Sequence, residues 1–241
     1  TTGLGALVAR LAVDRGIRFD RATAGHLAEQ ADAVSTRHQQ YMGLAPRVLD
    51  ALDTAGVAAT PVKGVVLTSV GVWPYPDVRP MADIDLLVPP GDRDRCRPVL
   101  ESCGLHPIEH QPTEDVYLAW GDGGVGRTDG ESVRHNGKLE IHPGWVERVH
   151  GYTVGHDRLL STTDRGRFLG AAARLLPDPW LVAHVIGHLS TGVIRRDVRA
   201  LNVLDVLFAL RWLRPDGRRA LRAALVELDP RLSVPGLWLV A

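Results

Sequence analysis

The chain has 241 residues, 45% hydrophobic and 23% charged, with 28 basic and 28 acidic side chains. That balance builds one large globular domain or two small ones, and a formal net charge of zero gives no case from composition for a polyanion-binding surface. No apolar run reaches the length of a membrane span and no signal peptide is visible, so a cytoplasmic protein without a membrane partner is expected.

Residues 1–56 read as helical. Leu4, Leu7, Val8 and Leu11 recur at helical spacing, as do Tyr41, Ala45, Val48, Leu49 and Leu52. Pro46 should kink or restart the second segment, and Gly56 ends it. Val57 to Val62 reads as a short strand, with a helix from Gly64 to Val72 after a tight turn. Three prolines make Trp73 to Pro80 a loop. It feeds a strand over 83–88, which Pro89-Pro90-Gly91-Asp92 stops. A helix follows, with Cys96, Val99, Leu100 and Cys103 as its buried stripe and Gly104 as its cap. The two cysteines read as core thiols, not as a disulfide or a zinc site.

Strands are expected near 105–110, 115–120 and 137–142, with a Gly-rich, charged loop over 121–136. From Pro179 the chain reads as helical. Leu181, His184, Val185, His188 and Leu189 share one face; Val198, Leu201, Asn202, Asp205 and Phe208 share another. The order implies an α+β protein with an α/β-type core: N-terminal helices (1–56), a small mixed sheet (57–150) and a C-terminal helical subdomain (151–241). The start at Thr1-Thr2 without Met and the apolar end Leu237-Trp238-Leu239-Val240-Ala241 read as trimmed termini.

Chemistry concentrates in Ala82-Asp83-Ile84-Asp85-Leu86-Leu87-Val88. In a strand Asp83 and Asp85 face the same way and Ile84 faces the other. Adjacent carboxylates repel, and a hard divalent cation removes the conflict. Of the basic residues all but Lys63 and Lys138 are arginines, a bias of GC-rich, bacterial coding. Lys63-Gly64 stands where a strand turns into a helix, a place suited to a phosphate. Arg79 would contact phosphate or brace the carboxylates. In Lys138-Leu139-Glu140-Ile141-His142, alternation puts Lys138, Glu140 and His142 on one face. Glu140 is a candidate third carboxylate, as metal ligand or as base. His184 and His188 lack the Glu of a metalloprotease motif and read as hydrogen-bonded histidines on an apolar stripe, with His188 near the cleft.

Together, Lys63-Gly64-x-x-Leu67, Arg79-x-x-x-Asp83-Ile84-Asp85-Leu86-Leu87-Val88 and the later Glu140-Ile141-His142 resemble the polymerase-β-type nucleotidyltransferase superfamily. The order is most similar to the bacterial branch called uncharacterised nucleotidyltransferases, and also resembles the nucleotidyltransferase toxins of abortive-infection systems. The resemblance covers about residues 45–145. It reads Lys63-Gly64 where the wider superfamily has Gly-Gly or Gly-Ser, and its spacer to the Asp pair is longer. It implies Asp83, Asp85 and Glu140 as catalytic metal ligands for Mg²⁺ or Mn²⁺. It also implies Lys63, Gly64, Arg79, His188 and Asp205 as nucleotide-binding residues. The activity implied moves an NMP group from a nucleoside triphosphate to a hydroxyl or phosphate on a small molecule or peptide rather than a nucleic acid. Two rival readings keep the same motif: a sugar-nucleotide-dependent transferase that tailors a peptide or metabolite, and a non-catalytic nucleotide-binding or antitoxin-like module.

Overall fold

The computed structural model describes residues 4–111, 114–120, 135–143 and 156–228. Most of the expected 121–136 loop, Trp145 and the apolar C-terminal end lie outside them. Helix α1 (Gly5–Asp14) packs on α2 (Arg21–Thr54). Asp20 caps α2 by accepting the Thr23 N–H at 3.0 Å. The helix does not restart at Pro46 but continues through it. Its second half buries Tyr41, Leu44, Ala45, Val48, Leu49 and Leu52, the stripe that a 3.6-residue period places on one side.

Five strands form the central sheet: β1 (Thr60–Val62), β2 (Ile84–Leu87), β3 (Leu105–His110), β4 (Asp115–Trp120) and β5 (His135–His142). Their order is β1-β2-β5-β4-β3. β2 and β5 run parallel, and the other pairs are antiparallel. A parallel pair needs a long crossover, which α4 (Arg93–Ser102) and the β3–β4 hairpin supply. α3 (Gly64–Ser69) is shorter than expected.

The two faces of β5 differ. A Cβ on Gly137 would come within 2.8 Å of Leu44, so this glycine lets α2 lie close on the sheet. Leu139 and Ile141 follow it on that face, fully buried with Ile84 and Leu86 of β2. Lys138, Glu140 and His142 face the other way, beside Asp85, because Asp85 is the register partner of Glu140.

The remaining elements are α5 (His156–Ser161), β6 (Asp164–Phe168), β7 (Ala171–Leu175), α6 (Asp178–Arg195), α7 (Ala200–Trp212) and α8 (Pro215–Leu228). The β6–β7 hairpin is not expected from the sequence. Its turn is Leu169-Gly170, with φ of 51° and 88°, the left-handed pair that tight hairpins use. The Arg174 N–H donates to the Ala59 carbonyl at 2.9 Å, and the Ala172 N–H to Asp50 Oδ1 at 3.2 Å. These bonds tie the hairpin to the strand entry and α2. Among the described residues no helix is long and apolar enough to cross a membrane. Cys96 is buried and Cys103 partly so, both as free thiols.

Ile141 backs the polar face of β5 from a fully buried position. Ile141→Ala should cost about 2–5 kcal/mol of stability through lost burial and a residual cavity. Urea unfolding checks this; a loss below 1 kcal/mol would mean that the sheet does not rest on this side chain.

Candidate functional site

An open cavity of about 490 Å³ lies on the polar face of β2 and β5, walled on its far side by α6 and α7. Asp83, Asp85, Lys138, Glu140 and His142 line the sheet wall, and Lys63, Gly64 and Arg79 join them from the β1–α3 turn and the loop before β2. His184, His188, Thr191, Asn202 and Asp205 come from the helices. The structure thus brings every residue singled out for chemistry to one cavity.

Asp85 is the buried centre. Lys63 Nζ donates to its Oδ1 at 2.6 Å, and His142 Nε2 lies 2.9 Å from the same atom. His142 Nε2 is also 3.5 Å from Glu140 Oε2. Lys138 pairs with Glu140 and lies 3.9 Å from Asp83 Oδ2. Asp83, partly exposed, precedes β2; the Tyr41 hydroxyl holds the approach by donating to the Ala82 carbonyl at 2.5 Å.

These contacts divide the carboxyls by protonation. Burial, with the charges of Asp85 and Glu140, pushes the Asp83 carboxyl up. Burial acts on Asp85 too, but Lys63 and His142 overcome it and hold that carboxyl below its ordinary range. Glu140 is likewise held low against burial, by His142 and Lys138. Burial opposes the charge on His142, yet its bonds to Asp85 and Glu140 raise the imidazole to about 9. His184, across the cavity, is held neutral by burial and by the Lys63 charge.

Asp85, Glu140 and His142 each offer a ligand atom within 4.8 Å of the others. His142 was not among the ligands expected from the sequence, which were Asp83, Asp85 and Glu140. Its place two residues after Glu140, on the same strand face, was the available signal. Asp83 stands beside that group, where burial and the charges of Asp85 and Glu140 both disfavour its ionised form. Two carboxylates that crowd a third fit a hard divalent cation.

Lys63 carries the local backbone strain, with φ 55° and ψ −132°, a conformation unusual for a residue with a Cβ. It places the ammonium on Asp85. Gly64 has a separate reason. A Cβ there would come within 2.4 Å of Arg79 Nη1, so the turn is open for a guanidinium of this chain.

Arg79 does not pair with Asp83 or Asp85, one of the two roles expected for it. Its Nε and Nη2 donate to Asp205 Oδ1 and Oδ2 at 2.9 and 2.7 Å, a bidentate pair buried on both sides. Nη1 donates to the Pro80 carbonyl at 3.1 Å. Trp73 Nε1 donates to Asp205 Oδ1 at 2.7 Å, and the Trp73 ring lies edge-on to Phe208, with centroids 5.0 Å apart. Asp205, expected at a nucleotide, is thus held by Arg79 and Trp73 at the edge of the cavity. His188 lines the helical wall.

The sequence matches the family described as uncharacterised nucleotidyltransferase over residues 1–234. The chain belongs to that family and is a nucleotidyltransferase. No protein with a curated description matches it. Among solved structures it is similar to the antibiotic-resistance factor ANT(2'')-Ia in solution, at 16% identity and TM-score 0.54, over 82% of this chain and 97% of that one. It is similar as well to the crystal structure of ANT(2'')-Ia in complex with adenylyl-2''-tobramycin, at 16% identity and TM-score 0.53, over 77% and 97%. At that identity the likeness is one of fold.

The Arg79–Asp205 pair joins the loop before β2 to α7 across 126 residues of chain. Asp205→Asn should cost roughly 3–5 kcal/mol, the usual loss when one partner of a buried pair is removed. A denaturant midpoint close to that of the wild type would show that the pair does not hold α7 in place.

Proposed function

We propose that the protein is a metal-dependent nucleotidyltransferase that moves an NMP group from a nucleoside triphosphate to a hydroxyl of a small molecule. One observation carries the reading: the parallel register of β2 and β5 sets Asp85 beside Glu140 and His142, with Asp83 next to them, in a cavity large enough for a small ligand. Asp83, Asp85 and Glu140 would hold Mg²⁺ or Mn²⁺. A cation bound there supplies charge neutralisation for the triphosphate.

The chain's own groups do the rest. Glu140 is ionised in this setting and accepts the proton of the acceptor hydroxyl. The freed oxygen attacks the α-phosphorus in line; the bond to the β-phosphate oxygen breaks and pyrophosphate leaves. Lys63 lines the same cavity, and its ammonium would stabilise the charge that develops on the leaving group. Arg79 contributes by holding the turn and Asp205. His188 and Asn202, on the helical wall, face the space left for the acceptor. A small hydroxylated acceptor is supported by the complex of ANT(2'')-Ia with adenylyl-2''-tobramycin, in which a small molecule carries the adenylyl group. The absence of net charge gives no support to a nucleic-acid acceptor.

The test is a screen of the four NTPs and common sugar nucleotides with Mg²⁺ or Mn²⁺ against hydroxylated small molecules. Pyrophosphate release is the expected outcome. Release of nucleoside diphosphate would assign the cavity to sugar nucleotides, and tight binding without turnover would make it a nucleotide-binding module.

Single substitutions refine the roles. Asp83→Asn and Asp85→Asn should each weaken binding of the metal–nucleotide complex, and Asp85→Asn should also lower stability because Lys63 and His142 lose their buried carboxylate; calorimetry on the folded variants reads it, and unchanged affinity would remove that residue from the metal site. Glu140→Gln should lower kcat by roughly 10²-fold or more, with a smaller change in KM; near-normal turnover would deny it the role of base.

A further inference from the structure

Both lysines of the chain reach the carboxylate cluster. Lys138 stays on its own strand, bound to Glu140 two residues on. Lys63 comes from the β1–α3 turn, and a left-handed backbone delivers its ammonium to Asp85, the most buried of the three acids. Its Nζ lies 2.6 Å from Asp85 Oδ1, an oxygen that a cation held by Asp85 would also need. A divalent ion at Asp85 would meet that ammonium on the same carboxylate. Its affinity is lowered by the ammonium on Asp85, since like charges a few ångströms apart in a partly buried site repel strongly. A triphosphate in the cavity that Lys63 lines would offer the ammonium a new anionic partner.

We propose that Lys63 is an internal counter-cation that competes with the divalent ion for Asp85 and leaves it for the donor triphosphate, so that metal and nucleotide bind cooperatively. The proposal rests on the metal-dependent reading above. It assigns Lys63 two partners in turn. On Asp85 it pairs the buried carboxylate of the unloaded site, and on the phosphates it releases that carboxylate. The flexible lysine stem permits the move; a rigid arginine fork would not match both positions. Reciprocity follows: whatever the nucleotide adds to metal affinity, the metal adds to nucleotide affinity.

The probe is Mn²⁺, measured by calorimetry alone and again with a non-hydrolysable triphosphate analogue, on wild type, Lys63→Met and Lys63→Gln. Lys63→Met keeps the stem without the charge; Lys63→Gln keeps a hydrogen-bond donor for Asp85 and carries the test should the methionine variant not fold. Both should bind Mn²⁺ alone about 10-fold more tightly than wild type. Both should bind the analogue more weakly, so that the mutual strengthening of metal and analogue shrinks. Mn²⁺ should also raise the melting temperature of the variants more than that of the wild type. A lysine that served only phosphate binding, or only structure, would not tighten the metal when removed. Unchanged or weaker Mn²⁺ affinity in folded variants overturns the proposal, and leaves the metal-dependent reading standing if wild type still binds Mn²⁺ with the analogue. A wild type that binds no Mn²⁺ even with the analogue overturns both.

Discussion

A carboxylate as deeply buried as Asp85 has to be matched by positive charge, and the site is organised around that requirement. Burial of an unpaired charge costs several kcal/mol. The chain meets the demand from two directions at once: Lys63 arrives from the turn after β1, and His142 from the neighbouring strand. Lys63 reaches through the antiparallel pairing of β1 and β2, which sets Val62 opposite Asp85, and His142 through the parallel pairing of β2 and β5, which fixes Asp85 opposite Glu140. The pairing in turn depends on the apolar faces of those strands lying under α2, where Gly137 makes room for Leu44. A packing decision on one face of the sheet thus sets an electrostatic arrangement on the other.

The second tie is the Arg79–Asp205 pair. It joins the proline-rich loop before the Asp pair to the helical wall, with Trp73 sharing the same carboxylate. Gly64 belongs to this device as much as to the cavity, because the guanidinium occupies the space that a Cβ would need. One arginine therefore touches the turn that carries Lys63, the Pro80 carbonyl ahead of Asp83, and α7. A bidentate pair suits this function, since it fixes orientation as well as distance.

Much of this was legible in the sequence, and the part that was not has physical reasons. The Asp83–Asp85 spacing and the alternation of Lys138, Glu140 and His142 are properties of single strands, and period 2 exposes them directly. The five strands of the sheet and the helical ends also follow from local pattern. The pairing of Arg79 with Asp205 depends on two segments 126 residues apart, and no local rule selects one arginine among so many. The β6–β7 hairpin was hidden because Ala171-Ala172-Ala173 favours helix; bonds to Ala59 and Asp50 override that preference. Pro46 was expected to kink or restart α2; the helix does not restart there, and Tyr41 to Leu52 pack on the core across it. The Gly64 turn invited a ligand-based explanation, and the neighbour that fills it comes from the same chain.

The cavity has walls of different character, and the difference bears on how a family with one chemistry could serve different acceptors. The sheet wall holds closely spaced charges whose positions are locked by strand register. The helical wall presents His188, Thr191 and Asn202 from α6 and α7, elements outside the sheet that Arg79 ties to it through Asp205. Substitutions among those helical side chains can change what fits opposite the carboxylates without disturbing the register that creates them. On the proposed reading, the donor is read by the sheet and the acceptor by the helices, and Arg79 keeps the two walls at a working distance.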